Sequence, residues 1–258
     1  MKRQGGYIWQ GLGKRGMKRF DVDLHIHSCL SPCAEMDMSP KRIVERAAEK
    51  GLDIIAISDH NSAENTGTAV RLGRMKGIVV FPGMEVNTRE EVHLLAVFEH
   101  VYQALAMQEE IYRRLEGEND PRVFGEQVVA NIHDEVEGFN ERLLIGAVDM
   151  GVEEVVDKVH ELGGLCMASH VDRPSYSLIS QLGFIPPGLD LDGIEISTPD
   201  ARRFVLNYVG EGPPLVCFSD SHRLEQIGSR FSTFILERPV FTELIRAFRK
   251  EGERRIEF

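Results

Sequence analysis

From Phe20 onward, apolar runs of strand length alternate with stretches of helical spacing. Asp23-Leu24-His25-Ile26-His27 has a period of two. This predicts a strand with Asp23, His25 and His27 on one face and Val22, Leu24 and Ile26 on the other. Ser39-Pro40 predicts an N-cap and first turn for a helix that runs to about Lys50 and stops at Gly51. Leu52 to Ile57 is a continuous apolar run ending at Ser58-Asp59-His60. A helix over roughly 64–75 and a strand over 77–81 follow, then Pro82-Gly83-Met84-Glu85-Val86 and a hairpin-like return over 92–98. Later come a helix over 151–162 and a strand over 165–168 ending at Ser169-His170, then a strand over 190–197 carrying Glu195. A helix near 199–209 and a strand over 214–218 lead to Ser219-Asp220-Ser221-His222, before a last strand over 232–236 and a helix over 240–251. Between about 100 and 148 long apolar runs are missing, and Leu105, Gln108, Tyr112 and Leu115 recur at helical spacing. That texture predicts a helical insertion or cap over one end of the sheet.

Seven of the predicted strands end in a polar cluster, at residues 27, 60, 85, 93, 170, 195 and 222. Most are separated by helices, which implies a largely parallel sheet, and in such folds chemistry collects at the carboxyl ends of the strands. A barrel-like sheet makes those ends converge, whereas an open doubly wound sheet would spread them along a line. A length of 258 residues suits one α/β barrel.

The formal charge is −11, but the first nineteen residues carry six Lys/Arg and no acid, so the remainder is near −17. Such a surface disfavours long nucleic acid as a partner and suits a metalloenzyme acting on small anions. Residues 1–19 are expected to form a disordered basic leader ahead of a single domain over 20–258. They have no apolar core of a secretory signal, and no run approaches the roughly 20 residues of a membrane span, so the expected location is the cytoplasm. Of four cysteines, Cys166 and Cys217 lie in apolar runs and read as core, while Cys29 and Cys33 lie in the loop beside the His25/His27 stretch.

Two histidines two apart can hold one metal ion, but alone they are weak evidence. Recurrence of Asp, Glu and His at later strand ends changes the picture: it is the pattern of a metal cluster assembled from many strands. Mixed imidazole and carboxylate ligands suit Zn, Mn or Fe better than Ca. His100, His133 and His160 read as surface residues. Glu195 reads equally as a partner of a ligand or as half of a structural ion pair.

The order DxHxH, DH, an isolated Glu, His, His and DxH, spread from His25 to His222, resembles the PHP (polymerase and histidinol phosphatase) family of metal-dependent phosphoesterases. The resemblance implies a distorted seven-stranded (β/α) barrel with two or three divalent ions, commonly Mn, Zn or Fe. It implies His25, His27, Glu85 and Asp220 around one ion, Glu85 bridging to a second completed by His93 and His170, and His60 and His222 on a third. Relatives supply a His or Asp to that third site from the loop after the first strand. Here Glu35 is the first choice for that position, with Asp37 and Cys33 behind it. Asp23 and Asp59 would stand behind the ligands, Asp59 with a role in proton transfer, and Arg173 would grip phosphate, with Arg223 next. The implied reaction is hydrolysis of a small phosphate ester, a nucleotide or other phosphomonoester, by a metal-bridging hydroxide. The alternative is an exonuclease or phosphodiesterase acting on short oligonucleotides. An amidohydrolase-type C–N hydrolase and a noncatalytic metal-binding domain rank lower.

Overall fold

A computed structural model describes residues 16–209 and 212–258. Of the expected basic leader, residues 1–15 lie outside the described residues, and Lys18 and Arg19 already belong to the first strand. Strand β1 (Lys18–Asp23) is followed by α1 (Pro40–Lys50), β2 (Ile54–Ile57), α2 (Thr66–Lys76), β3 (Val79–Asn87) and β4 (His93–Val97). The middle of the chain holds α3 (Val101–Tyr112), the short α4 (Pro121–Phe124) and a hairpin, β5 (Val128–Ala130) and β6 (Val136–Phe139). Then come α5 (Val152–Glu161), β7 (Leu165–Ala168), α6 (Leu178–Leu182), β8 (Gly193–Glu195), α7 (Arg202–Val209), β9 (Leu215–Val216), β10 (Ser232–Leu236), α8 (Phe241–Phe248) and β11 (Arg255–Glu257).

Nine strands form one mixed sheet in the order β11-β10-β1-β2-β3-β4-β7-β8-β9, against the seven strand ends counted in the sequence. The β1-β2-β3 and β7-β8-β9 blocks are parallel, while β4 runs antiparallel to both of its neighbours, and β10 and β11 add an antiparallel edge. The sheet curls until the segment past its last strand, β9, reaches the segment past β1: the His27 N–H donates to the Ser221 carbonyl at 2.9 Å and the Ser221 N–H to the His25 carbonyl at 3.2 Å. The apolar face expected of the first strand is divided between two clusters. Val22 and Leu24 pack in one cluster, whereas Ile26 packs in another with Met38 and Ile43.

Local sequence explains the elements around this sheet. Ser39 accepts the Arg42 N–H at the start of α1, with Pro40 in its first turn, and Gly51 closes it at φ 79°. Ile55 and Ile57 of β2 meet α1 and α2 on one face, while Ile54 and Ala56 join a cluster drawn from β1, β3, β4, β7, β9 and β10 and closed by Phe241, Leu244 and Phe248 of α8. Pro82-Gly83 does not break β3, contrary to the expected end at Phe81. At this point β3 exchanges its parallel partner β2 for the antiparallel β4, so the N–H that Pro82 lacks is not missed. A Cβ on Gly83 would stand 2.8 Å from the Ala96 carbonyl oxygen, so only glycine fits between the two neighbours.

The expected helical insertion is mixed. Helix α3 buries Ala104, Met107, Gln108 and Ile111; of the residues expected at helical spacing, Gln108 and Leu115 are buried and Leu105 is exposed. The β5–β6 hairpin was not anticipated, because its strands are short and β6 is almost wholly exposed. Hydrogen bonds anchor this region to the site loops. Asn61 donates to the Leu144 and Gly146 carbonyls at 2.8 Å, and Asn65 bonds Val128 and Ala130. No helix among the described residues is long and apolar enough to cross a membrane.

Candidate metal centre

The contact between the segments after β1 and β9 brings their ligand-type side chains together. Beyond β1, the His25 and His27 Nε2 atoms lie 3.2 Å apart, and each lies 3.2–3.3 Å from Asp220 Oδ1, just past β9. Glu85 on β3 completes this group, with Oε1 3.3 Å from His25 Nε2 and Oε2 3.5 Å from His27 Nε2. Metal–ligand distances of about 2.1 Å give ligand–ligand edges of about 3.0–3.4 Å. The four side chains are therefore spaced as one coordination shell.

The same carboxylate faces a second set. Glu85 Oε1 lies 3.2 Å from both His93 Nδ1 and His170 Nε2, and Oε2 lies 3.4 Å from His60 Nδ1. His60 and His170 follow β2 and β7, whereas His93 stands at the amino end of β4. The antiparallel course of β4 is what delivers His93 to the end of the sheet where the other strands finish. His27, Cys33 and His222 form a third set with ligand atoms within 4.8 Å of one another. His60 thus groups with Glu85 and His93, and His222 with Cys33. Glu35 is not in this set: its carboxylate lies 3.0 Å from Arg223 Nε, and its side chain is 50% exposed. Asp37 pairs with Arg42.

Three buried carboxylates, Glu85, Glu195 and Asp220, demand compensating positive charge. Burial alone would depress His25, yet Glu195, Asp220 and Glu85 outweigh it and hold its pKa well above the usual range. Burial pushes His27 down to about 4, assisted by His222, and takes His60 well below its usual value, so both present neutral imidazoles. Burial would raise Glu85 and Asp220, but the surrounding histidines, His93 and His25 foremost for Glu85 and His25 for Asp220, keep both well below the carboxylate range. His60 Nδ1, His93 Nδ1 and Glu85 Oε1 are buried without a hydrogen-bond partner. Orphaned lone pairs on a rigid frame are what a cation would satisfy.

Residues behind this set fix the rings. Glu195 holds His25 Nδ1 at 2.9 Å and also accepts the His170 backbone N–H at 3.1 Å, so in the neutral ring that a cation would require, Nδ1 keeps the proton and Nε2 carries the lone pair. Ser31 Oγ lies 3.1 Å from His27 Nδ1 and donates to Asp59 at 2.7 Å. Asp59 accepts further bonds from the Ser28 N–H and hydroxyl, both at 2.6 Å, so it reaches the centre only through Ser31. Asp23 orients no ring; it accepts backbone N–H groups of Ser219 and Gly228. Sequence reasoning left Glu195 undecided between two readings. Its signal was its place at a strand end facing the first strand's histidines. Arg173 Nη1 lies 2.6 Å from Asp220 Oδ2, at the edge of the centre. Asn61, His170 and Asp220 have φ of 52°, 28° and 48°, strained backbone concentrated at the ligand-bearing turns.

A curled α/β sheet whose strand ends gather histidines and carboxylates defines a metal-dependent hydrolase. Residues 23–176, more than half of the chain, match the PHP domain, and the chain belongs to the PHP family of metal-dependent phosphoesterases. It is 24% identical over 196 residues to the uncharacterized protein MJ1587 of Methanocaldococcus jannaschii, covering 73% of this chain and 87% of that one. It is also 29% identical over 80 residues to the phosphoribosyl 1,2-cyclic phosphate 1,2-diphosphodiesterase of Eggerthella lenta, 29% of either chain. Among solved structures it is similar to the lesion-specific endonuclease PfuEndoQ of Pyrococcus furiosus, with a TM-score of 0.68 and 20% identity. That match covers 93% of this chain and 58% of the endonuclease, so the chain spans little more than half of that relative's length.

Proposed function

We propose that the chain hydrolyses a small phosphate ester, a nucleotide or other phosphomonoester, with two or three divalent ions of Mn, Zn or Fe. The observation that carries this reading is Glu85, whose two oxygens serve imidazoles on both sides and so link two ligand sets through one carboxylate. His25, His27, Glu85 and Asp220 would hold one ion, and Glu85, His93 and His170 a second, with His60 beside them. Cys33 and His222 would supply a third position, and Glu35 is replaced in that role. When bound, the ions acidify water and draw charge from a phosphoryl group. Glu195 and Ser31 keep the Nε2 lone pairs of His25 and His27 turned inward throughout. Asp59 positions Ser31. Arg173, next to Asp220, can hold a phosphoryl oxygen through its remaining N–H groups. The region over about 100–148 would cap one side of the site.

The second reading, cleavage of short oligonucleotides, is favoured by the likeness of fold to an endonuclease over nearly the whole chain. The acidic surface counts against a long polyanion. Both readings share one test. Loading with Mn or Zn should give hydrolysis of a generic aryl phosphate, and His170→Ala or Asp220→Ala should abolish it. Full activity after chelation and exhaustive dialysis would overturn the metal dependence. Parallel assays with mononucleotides and short oligonucleotides separate the two readings.

A thiolate ligand has its own signature, because soft sulfur favours Zn or Fe over Mn. Cobalt-loaded protein should show a sulfur-to-metal charge-transfer band in the near ultraviolet that Cys33→Ser lacks. An identical spectrum in the variant would remove Cys33 from the ligand set.

A further inference from the structure

At the rim of the centre an aromatic ring lies against one of the ligand-type histidines. Tyr176 is stacked on His93, with ring centroids 4.8 Å apart and an interplanar angle of 23°, and its carbonyl accepts the His93 N–H at 2.9 Å. Tyr176 is nevertheless 43% exposed. With one face of the ring against His93, that exposure lies on the parts of the residue turned away from His93. The residue also has φ 54°, a left-handed conformation that a bulky side chain rarely adopts. The left-handed backbone holds the ring against His93 while leaving much of the residue exposed beside the cluster. Three residues earlier on the same loop, Arg173 reaches Asp220 at 2.6 Å and Ser197 Oγ at 3.2 Å. One short loop therefore sets a guanidinium and an exposed aromatic residue beside the same metal-ligand cluster.

We propose that Tyr176 is a stacking platform for the base of a nucleobase-bearing phosphate ester. Aromatic side chains take up bases in this way without selecting among them, because every base has a π-face. The loop would then recognise both ends of a nucleotide, phosphate through Arg173 and base through Tyr176, and would distinguish nucleotides from simple phosphosugars. This rests on the phosphoesterase reading given above.

The test uses metal-loaded protein and a matched pair of hydrolysis-resistant phosphonates, analogues of adenosine 5′-monophosphate and of ribose 5-phosphate, which differ only in the base. Calorimetric titration should show the adenosine analogue binding about tenfold or more tighter to the wild type. Tyr176→Ala should remove that difference without changing the affinity for the ribose analogue, and Tyr176→Phe should keep it. Equal affinity for the pair in the wild type, no effect of Tyr176→Ala, or equal weakening of both probes would each overturn the proposal. The last result would assign the ring to supporting His93. Release of phosphate from the natural esters is scored separately. A base-dependent affinity without any hydrolysis would sink the phosphoesterase reading and leave the stacking role standing.

Discussion

Glu85→Gln is expected to lower phosphate-ester hydrolysis about a thousandfold or more and to strip most of the metal from the purified protein. Glu85 Oε1 lies 3.2–3.3 Å from nitrogens of His25, His93 and His170, and Oε2 lies 3.4–3.5 Å from His27 and His60. Glutamine keeps the volume, so β3 keeps its packing. What changes is that one oxygen becomes an amide that can only donate, aimed at imidazole nitrogens whose lone pairs are needed for a cation. The negative charge between the two ligand sets also vanishes, and neighbouring dications would then repel without a shared anion. Metal analysis by plasma spectrometry together with kcat decides the matter. A variant with wild-type metal content and a rate within tenfold of wild type would show that Glu85 is not the link between the sets.

Much of this centre was legible in the sequence because its residues sit where apolar runs stop. Asp59-His60, Ser169-His170 and Ser219-Asp220-Ser221-His222 each follow a run that forms a strand, and a curled sheet brings such ends together. Two kinds of feature were not legible. One is the choice among loop side chains. Cys33, Glu35 and Asp37 are equivalent by spacing, and only the ion pairs of Glu35 with Arg223 and of Asp37 with Arg42 take the two carboxylates away. The other is strand direction and number. The hairpin-like return over 92–98 anticipated the antiparallel pairing with β3, but nothing local says that the same run will also lie antiparallel to β7, and Arg255–Glu257 is too short and too charged to announce itself as an edge strand. The role of Glu195 depends on the same long-range closure, since its partner His25 lies 170 residues away.

Asp23 shows how the closure taxes stability. Buried completely, it receives N–H groups from Ser219 and His25 on one oxygen and a long 3.4 Å contact from Gly228 on the other. Burial outweighs these bonds and pushes its pKa from 3.8 up to about 6. A folded-state value above the unfolded one means that the native protein binds more protons between these limits, so stability falls as pH rises through that window. At about 1.4 kcal/mol per unit, the loss reaches about 3 kcal/mol by pH 7, relative to pH below 4. Asp23→Asn cannot ionise. Its amide oxygen can keep the Ser219 and His25 bonds, and only the long Gly228 contact is lost. Urea unfolding of the chelated protein at a series of pH values should therefore show the variant gaining on the wild type from pH 4 to 7. Its advantage at neutral pH should approach that figure, less the cost of the lost contact. Curves that stay parallel across the range would mean that the Asp23 carboxylate titrates as it does in the unfolded chain, and that its N–H donors already offset its burial.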